Sequence, residues 1–126
     1  MFPILNIPDL KYFIENAEKI LSLPTLEDYD RMETDKNGTK RYYLGDKLHR
    51  LDGPAIEYAD GTKHWYINGE KHRVDGPAIE RPDGKKYWYK NGALHRLDGP
   101  AVEEVNGDKF WFINGKRVTK PMAPRS

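Results

Sequence analysis

Three histidines recur at a fixed distance along this chain, each followed at once by an arginine and three positions on by an aspartate: His49, Arg50, Asp52; His72, Arg73, Asp75; His95, Arg96, Asp98. An imidazole beside a carboxylate is the pairing used for general acid–base work, and both groups are zinc ligands. Repetition argues against either use. Acid–base chemistry needs two titratable groups driven to different roles by different surroundings, and near-identical copies give near-identical surroundings. A zinc centre needs ligands that converge on one point, whereas histidines spaced along an array do not converge. The pattern implies a structural role instead. Each Asp is expected to accept hydrogen bonds within its own bend, and each Arg or His to bind a carbonyl or acid in the next unit. No glycine-rich phosphate loop opens a helix, no serine nucleophile pattern is present and cysteine is absent, so no cofactor, no metal and no enzymatic activity is expected.

The trios belong to one seven-residue string, HRLDGPA at 49–55, HRVDGPA at 72–78 and HRLDGPA at 95–101, with a period of 23 residues. A fixed period in this range marks a chain built by stacking one supersecondary unit. The string's glycines, Gly53, Gly76 and Gly99, join the His, Arg and Asp residues as repeat-structural positions. An aromatic pair recurs with the same period: Trp65-Tyr66, Trp88-Tyr89 and Trp111-Phe112, with Tyr42-Tyr43 in a partial leading copy. A two-residue turn follows each pair, at Gly45-Asp46, Asn68-Gly69, Asn91-Gly92 and Asn114-Gly115. Asn-Gly accepts positive φ at both positions, as the tight primed turns of twisted hairpins require. Further turns fall at Asn37-Gly38, Asp60-Gly61, Asp83-Gly84 and Asn106-Gly107, leaving strands of about five residues. Links this short join antiparallel strands.

The fold class is therefore mainly β: an antiparallel meander of tandem hairpins forming a single elongated, twisted sheet, preceded by a short α-helical cap over 1–34. The repeat region is read as 35–120, with a partial copy at 35–44, units at 45–68, 69–91 and 92–114, and a partial copy at 115–120. A basic tail at 121–126 completes the chain. In the cap, Leu10, Phe13, Ile14, Ala17, Ile20 and Leu21 form one helical stripe between Asn6 and Pro24. A second short helix is expected with Thr25 as its cap and Leu26, Tyr29 and Met32 on one side.

The strand residues supply the candidate partner-binding surface. Lys63, Lys86 and Lys109 keep step with Trp65, Trp88 and Trp111, as Lys40 does with Tyr42, in two ladders along one face; Tyr66 and Tyr89 mark the other. With aromatic groups on both faces, one set is expected to pack between units and the other to stand partly exposed. Exposed rings with cations beside them could stack bases and hold the phosphates of single-stranded nucleic acid. His64 stands where Tyr87 and Phe110 stand and reads as a surface substitution.

Composition sets wider bounds. The net charge is +1, but 1–34 carries seven acidic and three basic side chains against thirteen and eighteen in the remainder. That asymmetry favours docking of the first segment on the second over an anionic partner. Charged residues make up 33% of the chain and no apolar run approaches the ~20 residues that span a bilayer, so a soluble, cytoplasmic protein without a transmembrane segment or secretory signal is expected.

The pattern of Trp65, Asn68, Gly69, His72, Gly76, Asp83, Gly84 and Tyr87, renewed at Trp88, Asn91, Gly92, His95, Gly99, Asn106, Gly107 and Phe110, resembles the MORN repeat. The likeness covers about 35–120 and implies β-hairpins stacked into an elongated sheet. Where the usual unit has Gly after the His, this chain has Arg50, Arg73 and Arg96. That variant resembles HRxDGPA repeats of bacteriophage and giant-virus proteins. The resemblance implies a scaffold or interaction protein, specifically a viral accessory protein that binds and obstructs a host enzyme or defence complex in the host cytoplasm. Two further expectations stand beside it: binding of nucleic acid or anionic lipid through the Lys and Trp face, and homodimerisation through an open C-terminal edge strand.

Overall fold

The computed structural model describes residues 27–119. The helix expected within the first 24 residues and the tail at 121–126 lie outside them. The described part is mainly β, an antiparallel meander of fourteen strands. The first four are β1 (Arg31–Thr34), β2 (Lys40–Leu44), β3 (Lys47–Leu48) and β4 (Ile56–Glu57). One unit follows as β5 (Lys63–His64), β6 (Tyr66–Ile67), β7 (Glu70–Lys71) and β8 (Ile79–Glu80). The next gives β9 (Lys86–Tyr87), β10 (Tyr89–Lys90), β11 (Ala93–Leu94) and β12 (Val102–Glu103), and the chain ends in β13 (Lys109–Ile113) and β14 (Lys116–Val118).

The main sheet runs β1-β2-β4-β5-β8-β9-β12-β13-β14 with β3 on β2, while β6-β7 and β10-β11 are separate two-stranded hairpins. The single sheet of five-residue strands is thus corrected. Most strands are two residues long, and the ladder breaks at Trp65, between β5 and β6, and at Trp88, between β9 and β10. The backbone there is still satisfied: the Trp65 amide donates to the Ala78 carbonyl at 2.7 Å, and the Trp65 carbonyl accepts from the His72 amide at 3.1 Å. Trp88 repeats this with Ala101 and His95. The ring is turned into the structure at the break.

The second short helix is also corrected. Tyr29 lies in an irregular segment and Met32 in β1, whose residues pair with β2 from Arg31↔Tyr43 to Thr34↔Lys40. The sheet therefore begins inside the segment expected to form the cap. Cross-strand pairing supplies more backbone hydrogen bonds than an isolated turn of helix could there. Among the described residues no helix is long and apolar enough to cross a membrane.

The Asn-Gly turns take the anticipated form. Asn68, Asn91 and Asn114 each have φ of 50°, and Gly69, Gly92 and Gly115 follow at 82–84°, the left-handed pair of a tight hairpin. The core is a narrow spine: Tyr42, Trp65, Ile56, Ile67 and Val102, with Ala55, Ala78 and Ala101 each 0% exposed.

Candidate functional site

The arginine organises most of the polar contacts of the repeated string. Each guanidinium lies over the aromatic ring eight residues earlier: Arg50 at 4.0 Å from the Tyr42 ring centre, Arg73 at 3.8 Å from Trp65 and Arg96 at 3.9 Å from Trp88. Its Nη1 donates to the proline carbonyl four residues on, at 3.2, 3.0 and 3.0 Å. The same nitrogen donates to the glutamate seven residues on, Glu57, Glu80 or Glu103, at 2.9–3.3 Å. In the second and third copies Nε donates to Asp75 and Asp98 at 3.0 Å. The glycine makes room, since a Cβ at Gly53, Gly76 or Gly99 would stand 2.9, 2.9 or 2.7 Å from the guanidinium carbon. The string is a bracket that clamps a bend onto an aromatic ring. Its arginines bind carbonyls and acids within their own unit and the ring of the preceding one, which corrects the expectation that they reach a carbonyl or acid in the next.

The histidines likewise stay within their own unit, where they accept from the turn that closes it. Nδ1 of His49, His72 and His95 accepts the backbone N–H of Asn68, Asn91 and Asn114 at 2.9, 3.0 and 2.9 Å. Each imidazole thus caps the following Asn-Gly turn, a bond to an amide rather than to the expected carbonyl or acid. Nδ1 as acceptor places the proton of the neutral ring on Nε2. For His49 that proton goes to the Glu27 carbonyl at 2.6 Å. His72 is only 7% exposed and its Nε2 has no partner, a deficit of about 1–3 kcal/mol for a buried donor. Burial, aided by the Lys90 charge, lowers the affinity of His72 and His95 for a second proton.

The Lys ladder exists, but interleaved with acids. Across successive strands Lys40 faces Glu57, Glu57 faces Lys63, Lys63 faces Glu80, Glu80 faces Lys86, Lys86 faces Glu103 and Glu103 faces Lys109. All four lysines are exposed, whereas Trp65 is 9% exposed and Trp88 and Trp111 are half-buried. Trp65 is thus the packed member of its series, and Lys63 lines one groove together with it. Tyr66 and Tyr89 are half-buried, with Lys71 Nζ 5.4 Å and 5.6 Å from their ring centres. His64 is not a surface residue: it is half-buried, 5.1 Å from the Tyr58 ring and 6.4 Å from Tyr66 between centres, and burial holds it neutral.

Between successive strings lie two grooves, which strand-by-strand reading missed. Groove one, about 440 Å³, runs between residues 50–54 and 72–75 over Trp65 and Ile67. Groove two, about 700 Å³, runs between residues 72–77 and 95–98 over Trp88 and Tyr89. Their rims carry the variable position of the string, Leu51, Val74 and Leu97, apolar each time and 73% exposed at Leu97. That recurring apolar residue in an otherwise polar loop was the available sequence signal.

The first string has no earlier string to face, and a different segment covers it. Besides the Glu27 carbonyl on His49, the Asp28 carboxylate accepts the Leu51 amide at 3.0 Å. The Tyr29 ring packs edge-on to Tyr42 with centres 4.8 Å apart, and Arg50 lies 5.8 Å from its centre. Burial, together with the Asp28 charge, raises the Asp52 pKa above the ordinary 3.8. Among the described residues no cluster of three or more His, Asp or Glu side chains is placed to hold a metal ion. No protein-family model, curated protein or solved structure matches the chain.

Proposed function

We propose that the chain is a non-enzymatic interaction module, a MORN-like hairpin array that presents grooved, repeated relief to another protein. One observation carries the reading: the groups that could do chemistry, the His, Arg and Asp of each string, are engaged in holding bends and turns. What remains accessible is shape, apolar rims and the half-buried aromatic and Arg side chains that dominate protein interfaces. The likeness to bacteriophage and giant-virus repeats supports an accessory protein that obstructs a host enzyme or defence complex.

Binding of nucleic acid is weakened as a reading by the alternation of Lys with Glu, because phosphate contacts need a net cationic track. The test is affinity capture of the tagged chain from a cell extract divided into nuclease-treated and untreated halves. A stoichiometric protein that survives nuclease supports the interaction module. Loss of everything captured overturns it in favour of the lysine face, and retention of DNA or RNA would then fall in a Lys63→Ala, Lys86→Ala variant. Homodimerisation through β14, the last strand of the sheet among the described residues, requires concentration-dependent sedimentation; a monomer at every concentration excludes it.

A further inference from the structure

The contacts that residues 27–29 make with the first string are available twice more along the array. His49, Leu51, Tyr42 and Arg50 receive that segment, and their counterparts one period on are His72, Val74, Trp65 and Arg73. All four of these line groove one. The counterparts one period further, His95, Leu97, Trp88 and Arg96, all line groove two. Each groove therefore holds the full set of receiving groups.

Some of these groups stand unanswered. His72 is more than nine-tenths buried and its Nε2–H, which His49 gives to a backbone carbonyl, has no acceptor. Among the described residues no carboxylate takes the Val74 or Leu97 amide, although one takes that of Leu51. The charges lining groove one balance, Arg50, Lys63 and Arg73 against Asp52, Asp75 and Glu80, whereas in groove two Lys90 is in excess over the Arg73–Asp75 and Arg96–Asp98 pairs. That excess favours an acidic occupant at groove two.

We propose that the two grooves are docking sites for an extended segment of a partner protein in which a backbone carbonyl, an aspartate and an aromatic residue follow one another, as Glu27, Asp28 and Tyr29 do in this chain. The carbonyl accepts from the groove histidine, the carboxylate accepts the amide of Val74 or Leu97, and the aromatic ring packs against the Trp–Arg pair. This inference rests on the interaction reading above and specifies its ligand.

The test titrates the capped peptide acetyl-LEDYDR-amide into the full-length chain labelled with nitrogen-15. Amide shifts at Val74 and Leu97 and a shift of the His72 Nε2 resonance are expected, and the peptide LEAYDR should bind about tenfold more weakly for want of its charge-assisted bond. Leu97→Glu, at an exposed position, should abolish the shift at groove two while leaving groove one intact. Equal binding of both peptides overturns the proposal. So do shifts confined to His49 and Leu51, which would mean that the peptide only displaces the chain's own segment. If a captured partner protein survives Leu97→Glu combined with Val74→Glu and is not competed by the peptide, the interaction reading stands and the groove assignment falls.

Discussion

Replacing Gly76 by alanine tests the arginine bracket without removing any polar group. Gly76 does not have positive φ, so alanine suits its backbone and would by itself stabilise by about 0.4–1 kcal/mol through the unfolded chain. The new Cβ, however, would stand 2.9 Å from Arg73 Cζ and 3.2 Å from both Nε and Nη1. The end of a flexible side chain ordinarily swings aside at little cost. Here it is held by Trp65 at 3.8 Å, Asp75 at 3.0 Å, the Pro77 carbonyl at 3.0 Å and Glu80 at 2.9 Å. Retreat to ordinary contact distance loses the ring contact, about 0.5–2 kcal/mol, and weakens one bond from a charged donor, about 1.5–3 kcal/mol. Asp75 and Glu80 are about one-third exposed, so the low ends apply, and after the gain through the unfolded chain the net expectation is a loss of about 1–1.5 kcal/mol or roughly 4–6 °C in Tm. Urea denaturation monitored by tryptophan fluorescence measures it. The discriminating arm repeats the substitution in an Arg73→Ala background, where Gly76→Ala should be neutral or stabilising. An equal loss in both backgrounds refutes the bracket, because the added methyl would then be meeting something other than the guanidinium.

Further outcomes follow from the same geometry. Asn91→Ala places a Cβ residue without a local polar group at φ 50° and should cost about 1–2 kcal/mol, whereas Asn91→Gly should change stability little, by the same denaturation assay. Ala78→Val adds two methyl groups where exposure is 0% and should cost about 1–3 kcal/mol; a neutral result would show slack in the spine. His64, His72 and His95 all have folded pKa values below 6.5, burial being the first cause in each, with Lys71 and Arg81 near His64 and Lys90 near the other two. The unfolded chain then takes up protons first, so their contribution is complete above pH 6.5 and is lost as pH falls from there through the lowered folded values. Asp52, its pKa raised, acts with the opposite sign closer to the carboxylate range. Denaturation at pH 7.5 and 5.5 should show the lower stability at 5.5, and equal stability would contradict buried neutral histidines.

The hairpin meander and its turns were legible because Asn-Gly and the aromatic pairs report local backbone requirements, and those requirements repeat. What was illegible depends on side chains that meet across sequence distance. The alternation of Trp65 with Lys63 puts both on one strand only if that strand is unbroken, and the ladder breaks at Trp65, between β5 and β6. Tyr29 and Met32 share a helical stripe on paper, but the open edge of β2 offers hydrogen bonds that a stripe cannot anticipate. The grooves are a property of two strings side by side, so they show in neither string alone. Only the apolar residue at Leu51, Val74 and Leu97, set in a loop that needs no apolar group for its own geometry, pointed to them.

One premise of the sequence argument, that identical copies give identical surroundings, is too strong for an array this short. The three histidines keep one role, yet His49 is 0% exposed, His72 is 7% exposed and His95 is half-buried. The three aspartates diverge further, with side chains 13%, 36% and 83% exposed at Asp52, Asp75 and Asp98. The Arg50–Asp52 separation is 4.0 Å in the covered copy and 3.0 Å in the other two. Each unit of a stacked array contacts only its neighbours, so a three-copy array has few units in the same environment. Position along the array therefore gives one seven-residue string graded exposures. A surface built in this way does not need a divergent residue to acquire a preferred site, because the end of the array supplies the asymmetry.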